Sequence, residues 1–205
     1  MREGFYRNEV FDAITANDLK ALGELFDRVG LTGKDARTQF TTATHTLVYT
    51  ALGCAASVAR SGKLHDATVT MLIDRTYSCV SAFNVAKHCL LSLGCSEADI
   101  DCSIIPEKVR RACIHDEYSA EVATAFAEMS EEQFKALLKL LSSGEVKSFD
   151  WNFSQSILAY MHMHDVVDMS VLLSIMTSAL IKIDDGPDLG GDAVGMLMLL
   201  GALFG

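Results

Sequence analysis

Residues 68–94 read TVTMLIDRTYSCVSAFNVAKHCLLSLG, and Asp74, Arg75 and Lys87 carry the only formal charges in the stretch. Apolar side chains do not alternate with polar ones at a period of two, as a half-buried strand requires. They fall on most sides of a 3.6-residue wheel instead, the pattern of a helix surrounded by protein. The stretch from Leu64 to Leu93 is therefore expected to form a long central helix, stopped by Gly94.

A second run of the same character, ILAYMHMHDVVDMSVLLSIMTSALIKI, covers 157–183, and its helix is expected to begin after Asp150 and end where DDGPDLGGD (184–192) breaks it. The remaining segments read as shorter helices. Phe5, Val10, Phe11 and Ile14 mark a first helix, and Asn17 is the expected N-cap of a second, with Leu22, Leu25 and Phe26 on one stripe and Gly30 as its stop. The two should form a hairpin. Thr32 with Asp35 is expected to open a Thr- and Ala-rich helix running to about Arg60 and closed by Gly62, its small residues allowing close packing. Ser96 with Asp99 should start a short piece, Pro106 suits a first helical turn, and SEEQ at 130–133 is a capping-box signature before FKALLKLL and Gly144. The fold expected is all-α: an irregular bundle of about seven to nine helices around two long apolar central helices, about 64–93 and 151–183. One domain, 1–205, is expected, with a weak subdomain boundary near 143–150.

Composition limits the partners. The 205 residues include 17 Lys and Arg against 27 Asp and Glu, a formal net charge of -10, and half of them are hydrophobic, which sets the chain far from the signature of disorder. An acidic surface repels a phosphate backbone and offers an anionic membrane nothing to hold, so nucleic acid is not an expected partner. The N-terminus MREGFYRNEV lacks an apolar signal region, which points to a cytoplasmic chain in which Cys54, Cys79, Cys89, Cys95, Cys102 and Cys113 stay reduced.

Motifs for chemistry are weak. GLTGKD (30–35) has the wrong glycine spacing for a phosphate loop and follows a helix rather than a strand. The cysteines and histidines between Cys79 and His115 contain no C-x2-4-C or H-x3-5-H pair of the kind a structural zinc site takes from one turn. His162, Asp165 and Asp168 follow one another at i, i+3 steps, and His164 would face Asp168 at i+4. On a continuous helix these are candidate ligands for a metal, although no Glu-x-x-His segment elsewhere completes a bundle site. DDGPDLGGD does not supply the oxygen positions of a calcium loop, and Asp192 suits the N-cap of a last helix. No G-x-S-x-G elbow occurs. No cofactor is expected.

The stretch CVSAFNVAKHCLLSLGCSEADI (79–100), a buried helix ending in LG and then a Ser-capped SEADI, resembles the AhpD-like carboxymuconolactone decarboxylase superfamily, with SEEQFKALLKLLSSGE further on of similar character. The resemblance covers the middle third of the chain. It implies a thiol enzyme, with Cys79 at the first position of the family's C-x-x-C pair. Ala82 and Ala86 stand where the resolving cysteine and the following histidine belong, so the redox pair cannot form and a single thiol is what remains.

The chain ends on AVGMLMLLGALFG (193–205), thirteen residues without a charge. As a helix they rise only about 20 Å, too short to cross a bilayer. Covering four of the large side chains contributes on the order of 6 to 12 kcal/mol before ordering costs, so the segment must be covered by its own core or by another protein. Exposed apolar patches of this size mark interfaces. The expectation is a non-catalytic interaction or assembly protein that self-associates through Met196, Leu197, Leu199, Leu200, Leu203 and Phe204. The alternatives are the AhpD-like thiol enzyme acting through Cys79 and a sensor holding a small molecule in an apolar cavity between helices.

Overall fold

Several helices in this chain begin where a side-chain oxygen can take a backbone amide that has no carbonyl partner. Asp18 accepts from the Ala21 amide, Thr41 from Thr44, Ser119 from Val122, Ser130 from Gln133 and Asp168 from Ser170. The computed structural model describes residues 5–32, 41–95, 100–115, 117–144, 146 and 151–180, and among them the chain forms ten α-helices. They are α1 (Phe5–Thr15), α2 (Leu19–Arg28), α3 (Thr42–Arg60), α4 (Asp66–Thr76), α5 (Ala82–Ser92), α6 (Glu107–His115), α7 (Ala120–Ala127), α8 (Glu131–Ser142), α9 (Trp151–Met163) and α10 (Met169–Ser178), with 3-10 turns at Tyr77–Cys79 and Cys102–Ile104. Among the described residues there is no strand, only an isolated antiparallel bridge between Val80 and Leu180. The all-α expectation holds.

The two long central helices do not. The span 64–93 divides into α4, the turn at Tyr77–Cys79 and α5, because Val80 is extended and Ser81 starts a new helix by accepting from the Asn84 amide. The span 151–183 divides into α9 and α10: Asp165 takes a left-handed backbone (φ 47°), and Asp168 caps α10 with bonds from the Ser170 amide (2.8 Å) and hydroxyl (2.6 Å). Each division adds a helix, which is why ten are found rather than seven to nine. The pieces still pack together. Ser154 Oγ on α9 donates to the Val80 carbonyl at 2.9 Å, and the Ser81 amide donates to the Ala179 carbonyl at 2.9 Å. The break in the first span is thus sealed by the second.

Two starts also move. Asn17 is not the cap of α2; Asp18 is, while Asn17 has a positive φ of 52° and uses its side chain elsewhere. The helix expected from Thr32 begins at Thr42, behind an extended Thr41, with 33–40 outside the described residues. The other punctuation is as read. Gly30, Gly62, Gly94 and Gly144 all have positive φ at helix ends, and Ser130 and Gln133 form a reciprocal capping box. Pro106 stands just before α6, its carbonyl accepting from Arg110.

α3 lies between α1 and α10, and α5 between α8, α9 and α10. α1 and α2 pack as the expected hairpin, and Arg75 of α4 ties down the end of α2 through Asp27 (2.6 Å) and the Leu31 carbonyl (2.8 Å). The buried side chains join in one cluster, in which Phe134 stacks on Tyr160 at 4.0 Å and meets Phe126 edge-on. No helix among the described residues is long and apolar enough to cross a membrane.

Candidate functional site

The thiols are placed for packing. All six cysteines are free, and Cys54, Cys79, Cys89 and Cys113 are buried. Burial pushes the thiols of Cys79, Cys89 and Cys113 up to about 12, so at neutral pH they carry their protons and lack the thiolate that attack requires. Cys79 sits in the turn between α4 and α5 with Ser78 as its side-chain hydrogen-bond partner.

His162, Asp165 and Asp168 are not brought together on one helical face. α9 ends at Met163, Asp165 lies in the left-handed turn after it, and the Asp168 carboxylate is engaged by Ser170, whose hydroxyl and amide hold it below the usual carboxylate range. The His164 ring stacks on Tyr160 at 4.1 Å instead of reaching Asp168. No three His, Cys, Asp or Glu side chains among the described residues are grouped to hold a metal ion. Met196, Leu197, Leu199, Leu200, Leu203 and Phe204, with DDGPDLGGD before them, lie outside the described residues.

The arrangement that stands out is a cleft between α3 and α10, with a cavity of about 230 Å³. Gly53, Cys54 and Ala56 line it from α3, and Ser174, Thr177 and Ser178 from α10. Arg7 of α1 and Arg60 at the end of α3 complete the lining, the Arg60 Nε donating to the Ala56 carbonyl at 3.4 Å. Burial raises the Cys54 thiol while the charge of Arg7 lowers it. The hydroxyls of Ser174 and Thr177 donate back to their own helix, to the Ser170 and Leu173 carbonyls. Tyr49, Thr50 and Ser178 add hydroxyls to the lining.

Gly53 is the telling position. A glycine inside a helix costs about 0.5–1 kcal/mol relative to alanine. A Cβ built at Gly53 meets no described atom within 4 Å, so no close approach within the described chain accounts for its absence. The glycine leaves the cleft open.

Beyond Arg60, Ser174 and Ser178 the cleft adjoins a groove of about 520 Å³ between α5 and α10, which also carries His88. Two apolar side chains lie open on it, Leu91 (69% exposed) and Val171 (36% exposed). Among the described residues, neither lining includes a carboxylate. Two other clefts, between α1 and α2 and between α6 and α7, carry Glu9 and Asp12, and Glu107 and Glu121.

Sequence reading offered an apolar cavity between helices only as an alternative and did not locate this one. Its walls come from helices more than a hundred residues apart, and the only local signal was a glycine in the middle of an otherwise good helix, Gly53. Compared with protein-family models, with curated proteins and with solved structures, the chain shows no match in any of the three.

Proposed function

We propose that this chain is a non-catalytic α-helical assembly protein that self-associates through its apolar C-terminal segment, with Met196, Leu197, Leu199, Leu200, Leu203 and Phe204 as contact residues. The observation that carries the reading is the α5–α10 groove, where Leu91 and Val171 stay exposed beside Arg60. It complements the segment in two ways. The thirteen uncharged residues match its open apolar side chains, and the Asp184, Asp185, Asp188 and Asp192 carboxylates that precede them match the charge of Arg60. The occupant is the segment of a second copy, because a reciprocal exchange buries the same surface twice under twofold symmetry. The protonated thiols support binding over thiol chemistry.

Sedimentation velocity tests this. The wild-type chain is expected to sediment as a dimer that dissociates on dilution, and a Leu91→Asp, Val171→Asp double variant as a folded monomer. A wild-type monomer at every concentration, or a double variant that dimerises as well as wild type, contradicts the proposal.

A further inference from the structure

We propose that Cys89 and Cys95, at the C-terminal end of α5, form an oxidisable pair that a hydroperoxide converts to a disulfide, with Cys95 the thiol oxidised first and Cys89 the thiol that resolves it. The inference is independent of assembly, and either can fail without the other.

Backbone geometry is the first ground. α5 ends in a Schellman motif: Gly94 takes a left-handed φ of 62°, its amide donates to the Leu91 carbonyl at 3.2 Å, and the Cys95 amide reaches back to the Leu90 carbonyl at 3.3 Å. A turn of this kind commonly lays the side chain at the position of Cys95 against those at the positions of Leu90 and Cys89. The Cys95 thiol donates to the Leu93 carbonyl at 3.9 Å, beside that same turn, and packs against the core cluster to which Cys89 belongs. Electrostatics agrees: burial first, and the neighbouring Cys95 second, push the Cys89 thiol up to about 12. Access is the next ground. Cys89 is fully buried whereas Cys95 is only half-buried, so an oxidant from solvent meets Cys95 first. The Cys95 sulfur attacks one peroxide oxygen, the O–O bond breaks, and the other oxygen leaves with the thiol proton as water, or as an alcohol from an organic hydroperoxide. Cys95 is then a sulfenic acid. The Cys89 sulfur attacks that sulfur, the S–O bond breaks, and the hydroxyl leaves with the Cys89 proton as water, so two thiols are oxidised and one peroxide is reduced. A protonated Cys89 is a poor first attacker, which fixes the order; in the second step its adjacent position supplies the effective concentration that its thiolate fraction lacks.

The test treats the folded full-length chain with one equivalent of hydrogen peroxide, removes the excess with catalase, alkylates in denaturant and reads the products by mass spectrometry. Cleavage after Lys87 and Glu97 releases HCLLSLGCSE (88–97), which holds these two cysteines and no other. In the oxidised wild-type chain this peptide is expected two hydrogens lighter and unalkylated, with dithiothreitol restoring both thiols, while the other four cysteines stay alkylated. Cys95→Ser should leave Cys89 reduced after the same treatment, and Cys89→Ser should stop at a Cys95 sulfenic acid that dimedone traps. Cys102 is a matched control, half-buried like Cys95 but with its thiol donating to the Ala136 carbonyl of α8 at 3.7 Å. Cys102→Ser should therefore form the 88–97 bridge as wild type does. Six alkylated cysteines after peroxide, a bridge that includes Cys102, or a Cys95 sulfenic acid that persists beside an intact Cys89 overturns the proposal. Should Cys89→Ser fail to fold, the wild-type, Cys95→Ser and Cys102→Ser chains decide it alone.

Discussion

Asn17 shows how much a single side chain carries here. Its φ of 52° lies in the left-handed region, which asparagine and glycine tolerate and most L-residues do not. From that position Oδ1 accepts from the His65 amide and the Thr68 hydroxyl, both at 2.8 Å, and Nδ2 donates to the Lys63 carbonyl at 2.9 Å. His65 precedes α4 and has no side-chain cap of its own, so Asn17 serves the start of a helix 48 residues away in sequence. Asn17→Ala is expected to lose these bonds and strain the backbone, together about 2–4 kcal/mol. Asn17→Gly loses the bonds alone and should cost less, the order of glycine and alanine expected at a left-handed position past a helix end and the opposite of that inside a helix. Urea unfolding of the two variants checks the order; an alanine variant as stable as glycine contradicts it. The sequence showed a capping residue at this point but could not show which helix it serves, since Asp18 takes the local role and the partners of Asn17 are distant.

At the scale of elements, local signals were legible and breaks inside apolar runs were not. SEEQ announces α8 because its capping box is closed within four residues. Ser81 and Asp168 are equally good caps, yet each sits inside a run so apolar that periodicity favours continuing the helix through it. What decides for a break is contact from outside the run: the Val80 carbonyl, released from helical bonding, accepts from Ser154 Oγ, itself only 2% exposed. Ser154→Ala leaves that carbonyl buried without its hydroxyl donor and is expected to cost about 1–3 kcal/mol. The neighbouring Gln155, which bonds Asp74 at the surface at 3.1 Å, serves as the control, with Gln155→Ala expected within about 0.5 kcal/mol of wild type. Thermal or urea unfolding of the pair separates a sealed break from a passive kink; equal effects contradict the sealing role.

For the whole molecule, helical class was legible because it is written in periodicity and caps, and the reduced cysteines because nothing in the sequence called for bridges. The cleft was not legible, since α3 and α10 become neighbours only through the fold. In a chain of net charge -10, Arg60 lines the groove beside α10 together with the two exposed apolar residues Leu91 and Val171. Uneven charge of this kind selects an oppositely charged partner and steers its approach, and the chain's own acidic and then apolar ending has that character. The most direct test is the solution mass, by light scattering, of the full chain and of a version ending at Gly190. Assembly through the terminal segment predicts a defined oligomer for the full chain and a folded monomer for the shortened one. A monomeric full chain whose shortened form unfolds or aggregates would contradict it, placing the segment in the core of its own molecule.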